Sequence, residues 1–400
     1  MKIYAQHGFN SGNKILEGLR NQAIDGVIYG AKDIAPDLLQ ADLAQIAQMY
    51  PSSTRLFDPH YYATLIASVS GARLGKLIGE GSYSYFRAHI RRDLEQTKVI
   101  NDDIRSCLEF QASLPLTAFI SPNIVIRRSF DSIEGAIAKN FIRNAAEQAK
   151  EISPEMPVYA TLAVSENALQ DKNEMQAFLQ EITELDDPPV GFYLLLEKPD
   201  GKLPDTLTDQ DILSRWMLVN YALKINGFEV INGYTDLLAP YIAATGADAI
   251  GTGWFGTLKT FSLQRFLPSD LRSKRPYSRY TSIGLLKSIR RTELDSLRQT
   301  FPDVLNKLPS DDYYSDDGHP AGAEEVLQNW EALRAMITYC TQEKNNVREA
   351  LHGCRLALNF ATELYANINS IGIPLRQRSS DQHIDAIKDE LVEFERLAEL

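Results

Sequence analysis

The feature that most constrains this chain is an alternation repeated eight times. Short segments rich in β-branched and aromatic residues recur, each followed by polar, Gly or Pro residues: MKIYAQHG, GVIYGAKD, TRLFDPHYY, LTAFISPN, PVYATLAVSE, GFYLLLEKP, FEVINGYTD and ADAIGTGWF. Their centres are apolar on both faces, as in strands covered by helices on each side. Helical patterns lie between them. PDLLQADLAQIAQMY sets Leu39, Leu43, Ile46 and Tyr50 close to a 3.6 period, with Pro36 and Asp37 suited to a helix start. SFDSIEGAIAKNFIRNAAEQAKEI, NEMQAFLQEITEL and TDQDILSRWMLVNYALKIN behave alike, the last opening at Thr208, and TDLLAPYIAATG stops at Gly246. Eight strand–helix units in succession predict an α/β fold of the (β/α)8 TIM-barrel type over residues 1–292. An open doubly wound sheet is second choice, because the chain has no GxGxxG turn.

Two parts fall outside a plain barrel. Residues 63–115, which hold GEGSYSYFRAHIRRDLEQ, form a long insertion after strand 3, placed to act as a lid or substrate wall. Residues 293–321, with DDYYSDDGHPAG, read as an acidic linker. Helical patterns at 322–342, 345–370 and 381–400 then make a helical C-terminal region over 322–400, a surface open to a protein partner.

Composition removes several function classes. No run of about 18 apolar residues is present, so no spanning helix is expected, and the first residues lack a secretion signal. The three cysteines (Cys107, Cys340, Cys354) are far apart and odd in number, which fits a reducing cytoplasm. Without a CxxC pair, a cysteine-rich zinc site is not expected. The net charge of −12 disfavours general adhesion to nucleic acid or membrane. One stretch breaks that average: residues 265–291 hold eight Lys or Arg and one Asp. There Arg265, Arg272, Lys274, Arg275, Arg279, Lys287, Arg290 and Arg291 interleave with Tyr277 and Tyr280, a pattern suited to phosphates and bases. Internal pairing with the acidic connection is the alternative.

Barrel chemistry sits at the C-terminal ends of the strands. Here those ends carry Gln6 and His7, Lys32 and Asp33, Asp58 and His60, Ser121 and Asn123, Ser165 and Glu166, Glu197 and Lys198, Asn232 and Tyr234, Thr252 and Trp254. Asp58 in LFDPHYY is the leading catalytic candidate, since a carboxylate ending an apolar strand is partly desolvated. The competing role is to cap the turn before Pro59. Glu197 and Asp33 are candidate acid/base partners for glycosidic-bond chemistry. His7, Lys32, His60, Tyr61, Asn123, Glu166, Asn232, Trp254 and Arg279 are candidate substrate contacts. No metal site is expected: neither His7 nor His60 has an HxH or HxxxH partner, and the Asp316, Asp317, His319 run reads as a solvated turn.

The ends of strands seven and eight raise a phosphate question, since barrels often bind phosphate there. Gly233, Gly251, Thr252 and Gly253 offer exposed backbone, and Lys259 offers charge. This stretch resembles that of flavin- and sugar-phosphate-binding barrels. That makes an FMN-dependent oxidoreductase the alternative to a cofactor-free enzyme, and a non-catalytic barrel subunit the third possibility.

The barrel with a strand-end aspartate ahead of an aromatic cluster, Asp58 in LFDPHYY, resembles the tRNA-guanine transglycosylases and their DNA-modifying relatives. The resemblance implies base exchange through a covalent ribosyl intermediate, with Asp58 as one mouth aspartate. No Ser-Gly-Gly follows Asp58, the family's Cys/His zinc cluster is absent, and Asn232 and Thr252 stand where its nucleophile is expected. The expectation is a cytoplasmic TIM-barrel enzyme of glycosyl-transfer or glycosidase type, acting on a nucleotide or nucleic-acid substrate.

Overall fold

A computed structural model describes residues 1–199, 211–269, 277–315, 320–342, 344 and 346–400. Nine parallel strands make the central sheet: β1 (Lys2–Gln6), β2 (Gly26–Gly30), β3 (Thr54–Asp58), β4 (Phe119–Ile120), β5 (Val125–Ile126), β6 (Val158–Ser165), β7 (Gly191–Glu197), β8 (Glu229–Asn232) and β9 (Ala249–Thr252). The spatial order is β3-β2-β1-β9-β8-β7-β6-β4, with β5 also on β6. The strands therefore occupy eight positions, the fourth shared by the short β4 and β5. First and last strands pair directly, Ile3 beside Ile250 and Tyr4 beside Gly251. At the remaining seam, between β3 and β4, side chain and backbone replace a ladder: Thr117 N donates to Arg55 O at 3.0 Å, and Arg55 N donates to Thr117 Oγ1 at 3.0 Å. The result is a nearly closed (β/α)8 barrel, and all eight expected strand segments take part.

The strands read as apolar throughout because both faces are covered. All five residues of β2 are buried. Outside them run α1 (Lys14–Arg20), α2 (Pro36–Met49), α3 (Thr97–Ala112), α4 (Ile133–Ile152), α5 (Lys172–Thr183), α6 (Ile212–Ile225) and α7 (Ala239–Ala244). The predicted helix start at Thr208 lies outside the described residues. The insertion divides in two. Its last part is α3, a barrel helix that packs with α4 through Ile100, Ile104, Leu108 and Phe141. Its first part crosses the loops that end β2 and β3, where Tyr83 donates to Ile34 O and Tyr85 to Pro59 O, each at 2.9 Å.

Beyond β9 the chain forms an antiparallel hairpin, β10 (Arg279–Ser282) with β11 (Lys287–Arg290), then α8 (Arg291–Leu297). It continues into α9 (Gly322–Thr341), α10 (Val347–Ser370) and α11 (Gln382–Ala398). The hairpin and α8 were not anticipated from the basic composition of this stretch. The helical region is packed on the barrel rather than hung from it. Trp330, fully buried, lies on Gly18 of α1 and donates from Nε1 to Thr252 O at 3.3 Å. Glu390 of α11 accepts the Asp211 and Ser214 N–H groups at the start of α6, at 2.7 and 2.8 Å. One apolar core runs through both parts. Among the described residues no helix is long and apolar enough to cross a membrane.

Candidate functional site

Parallel strand direction puts every strand end named above on one face, and there the polar side chains form a buried network around Asp58. Its carboxylate is 1% exposed. Oδ1 accepts the His60 N–H at 3.0 Å. Oδ2 accepts three phenol hydroxyls, from Tyr62 at 3.0 Å, Tyr193 at 3.1 Å and Tyr234 at 3.4 Å. The turn before Pro59 is thus capped by Asp58, and the same carboxylate gathers side chains from β7 and the loop after β8. His60 adopts a left-handed backbone, φ 51°, which swings its ring inwards over Gly30.

The protonation pattern follows from the partners. Lys32 N–H donates to His60 Nδ1 at 3.1 Å, so the neutral ring carries its proton on Nε2, 3.0 Å from the Tyr234 hydroxyl. Arg265 Nη1 also donates to that hydroxyl, at 3.1 Å, and Arg265 Nη2 meets Asp33 Oδ2 at 2.7 Å. Tyr234 thus receives two hydrogen bonds and passes its own proton toward Asp58. Burial pushes the Asp58 carboxyl up to about 6, against the opposing pull of the His60 N–H, the Tyr62 and Tyr193 hydroxyls and the Arg265 charge. Burial, with Arg265 and Lys32 nearby, drives His60 well below its ordinary value and keeps it neutral. His7, stacked on Tyr29 with centroids 4.6 Å apart, is lowered to about 4 by burial. Its Nδ1 and the neighbouring Gln6 Nε2 are buried without a hydrogen-bond partner. Two neighbouring polar atoms without a partner are uncommon in a packed interior.

A cap covers this centre. The Phe261 ring lies 4.8 Å from Tyr62, and Phe266 lies 5.6 Å from His60. The cap is latched to the insertion through Arg73, whose N–H bonds Phe266 O and whose guanidinium bonds Leu267 O and Gln264 O. It is latched to β7 through Lys198 N–H on Phe261 O.

The predicted residues separate into groups. Asp58, His60, Lys32, Asp33 and His7 come together. Glu197 lies at the end of β7 with burial raising its carboxyl, partly offset by Arg127, whose Nε is 3.9 Å from Oε2. Glu166 and Lys198 form an ion pair at 2.6 Å. Trp254 is half-buried at the rim, donating to Phe9 O at 2.8 Å and edge-on to His7.

Other candidates are placed elsewhere. Tyr61 points away from the mouth into the α3/α4 cluster and donates to Asp103; its neighbour Tyr62 is the one that meets Asp58. Asn123 ties Thr161 O and Ala138 O, and Asn232 ties Trp216 Nε1 and Asn220 of α6, so both hold strands to their surroundings. Arg279 sits in the hairpin, bonded to Ser288.

The Gly251–Gly253 backbone is filled from within. A Cβ on Gly251 would lie 2.7 Å from Gln6 Oε1, one on Gly253 2.5 Å from Gln6 O, and one on Gly233 2.5 Å from the Tyr193 hydroxyl. Gly253 N–H already bonds Leu258 O. Thr252 Oγ1 bonds Asp236, and Lys259 pairs with Asp236 at 3.1 Å and with Asn329 of α9. The glycines admit Gln6, Leu258 and Tyr193, so the atoms that were to meet an anion or a flavin phosphate have partners within the chain.

The described basic residues of the 265–291 stretch are likewise engaged. Arg265 is inside the mouth, Arg290 lies 4.0 Å over the Tyr277 ring, and Arg291 bonds Asp295 and Ser315 O. Tyr280 donates to Asp311 at 2.8 Å. Of these, the Tyr280 and Arg291 contacts reach the acidic connection. Arg272, Lys274, Arg275, Asp316, Asp317 and His319 lie outside the described residues. Among the described residues no group of three His, Cys, Asp or Glu side chains could hold a metal ion.

Sequence reasoning missed Tyr62 and Tyr193, and it left Tyr234 and Arg265 out of the centre. A usable signal existed for Tyr193, a polar-tipped ring in an otherwise aliphatic strand.

No protein-family model matches the chain. No curated protein matches it. Among solved structures it is similar to native xylanase 10B from Thermotoga maritima, at 11% identity over 63% of this chain and 82% of that one, TM-score 0.36. It is similar to dihydrodipicolinate synthase from Oceanobacillus iheyensis, at 13% identity over 99% and 95%, TM-score 0.33. A GH30 endoxylanase from Clostridium papyrosolvens C71 matches at 12% identity over 67% and 68%, TM-score 0.33. The barrel assignment rests on the strand order and register above, and nothing about activity is drawn from likenesses this distant.

Proposed function

We propose that this barrel is an enzyme that works at a glycosidic-type bond, with Asp58 as its reactive carboxylate. The observation that supports this best is the state of Asp58: sealed at a strand end, held near pH 6, and served by three phenol hydroxyls. A carboxyl poised near neutrality serves as acid or base, and its anion, desolvated among donors, serves as nucleophile or cation stabiliser. Tyr234, flanked by Arg265 and His60, sets the direction of its proton. Glu197, whose carboxyl burial raises and whose pair with Arg127 is long at 3.9 Å, is better suited as the second carboxylate than Asp33, which Arg265 holds at 2.7 Å. Substrate reaches Asp58 when the Phe261–Phe266 cap lifts. A glycoside is favoured over a nucleotide, because the described basic residues of the 265–291 stretch are held by their own chain.

The test is a panel of chromogenic aryl glycosides and of nucleosides, assayed with wild type and Asp58→Asn. Turnover that falls about a thousandfold or more in the variant supports this reading, on the scale of losing an essential catalytic group. Turnover that survives the substitution removes it. A second reading, a non-catalytic barrel subunit, draws on the same geometry, since every acceptor of Asp58 already has a donor. It predicts no turnover on any substrate and capture of a protein partner through α9 to α11.

A further inference from the structure

The notable cationic surface of the mouth is not where the glycines suggested. A cavity of about 500 Å³ is lined by Arg91, Arg127, Arg128, Ser132, Ile133, Glu134 and Asn167. Its walls come from three places: Arg127 and Arg128 directly follow β5, Asn167 follows β6, and Arg91 comes from the insertion. β5 and β6 run parallel with Val125 beside Ala163, so the cavity opens on the same face as Asp58.

Three arginines and one glutamate line the cavity, in a chain of net charge −12. That carboxylate, Glu134, accepts the Arg127 backbone N–H at 3.3 Å. Arg91 makes only a loose pair with Glu95 at 3.7 Å, both exposed. Arg128 is exposed and has no ion-pair partner among the described residues. Like charges lining one cavity repel one another, and an oxyanion bound among them would relieve that repulsion. The floor is the first turn of α4, a 20-residue helix whose Ser132 cap leaves its positive end toward the cavity. Behind Arg127 lies Glu197, 1% exposed, whose Oε2 is 3.9 Å from the Arg127 Nε, a long pair that leaves the guanidinium free to turn toward the cavity.

We propose that this arginine cavity binds an oxyanion carried by the substrate, a carboxylate, sulfate or phosphate group on a sugar. Arg127 and Arg128 grip the anion, Arg91 closes on it from the insertion, and Arg127 couples it to Glu197. This deepens the glycosidic-bond assignment by naming the substrate class, and it rests on that assignment for the word substrate. The binding itself is independent of it.

The experiment is calorimetric titration of the full chain, at low ionic strength, with inorganic phosphate, sulfate and glucuronate. Saturable binding of at least one probe is expected, weakened about tenfold or more in Arg127→Ala/Arg128→Ala and unchanged in Asp58→Asn, as for charge-assisted bidentate contacts. The tightest probe identifies the oxyanion. Arg128→Lys, which keeps charge but not the fork, is expected to weaken binding less than Arg128→Ala. No saturable binding in wild type, or equal affinity in a folded double-alanine variant, overturns the proposal. Anion binding retained alongside an inert Asp58 overturns only the glycosidic-bond assignment.

Discussion

Arg265 meets Asp33 at 2.7 Å across 232 residues of chain, with both side chains nearly sealed from solvent. The contact joins the loop after β9 to the end of β2 and holds Tyr234 between them. Arg265→Met leaves Asp33 and the Tyr234 hydroxyl short of a partner. A loss of about 3–5 kcal/mol is expected, the range for breaking one side of a buried pair. The double variant Asp33→Asn/Arg265→Met should lose less than the sum of the singles. Urea denaturation of the four proteins measures this, and strict additivity would show that the pair carries no coupling.

Asp58 makes a prediction whose sign runs against intuition. Its folded carboxyl titrates near 6 and the unfolded one near 3.8, so the folded state binds the proton more tightly. That contribution to stability is complete below 3.8 and is lost as pH rises through about 6. At pH 7 the fold carries a desolvated anion, and Asp58→Asn should therefore be more stable than wild type there. The gain is up to about 3 kcal/mol and shrinks toward pH 4. A variant gaining stability while losing turnover has the signature of a residue kept for chemistry rather than for folding. Thermal melts between pH 4 and 8 decide it, and a variant weaker than wild type at pH 7 would contradict the assignment.

His7 works in the opposite direction. Its folded ring titrates near 4 and its unfolded ring near 6.5, so its contribution is present above 6.5 and is lost as pH falls toward 4. His7→Gln should flatten the acid limb of the stability profile by about 3 kcal/mol across that window. An unchanged acid limb would place the ring in water rather than against Tyr29.

The glycines at the barrel top separate two outcomes. Gly251→Ala sets a methyl against the movable end of Gln6, whereas Gly253→Ala sets one against the Gln6 backbone carbonyl. The second should cost about 1–3 kcal/mol, and the first less, because only the first neighbour can turn aside. Equal costs in chemical denaturation would mean the backbone yields at both.

Trp330 tests how the helical region belongs to the barrel. Trp330→Ala removes the largest fully buried side chain and the contact with Gly18, at an expected cost of about 3–5 kcal/mol. One cooperative transition is expected in wild type. Two separated transitions there would show that α9 to α11 unfold as an independent unit.

Much of the scaffold was legible in the letters. Strands such as GVIYG and GFYLLLE announce themselves because a segment covered on both faces must be apolar at every position. Outer helices announce themselves because only one stripe is buried. Asp58, His60 and Asp33 were legible as polar groups at strand ends. The hairpin β10/β11 was not, since charge in that stretch masked the cross-strand pair Tyr280 and Ile289, both fully buried.

What the sequence determined by itself is the order of elements and the set of groups delivered to one face, because periodicity and strand direction are local properties of the chain. What the tertiary structure decided is which of those groups meet. Tyr62, Tyr193 and Tyr234 stand 4, 135 and 176 residues from Asp58 and converge only when the barrel closes. The same closure drives Gln6 and Leu258 against Gly251 and Gly253 and turns Lys259 to Asp236, leaving the open cationic surface beside β5 instead. Spacing along a chain cannot show which atoms are left without a partner; that depends on what packing brings to them.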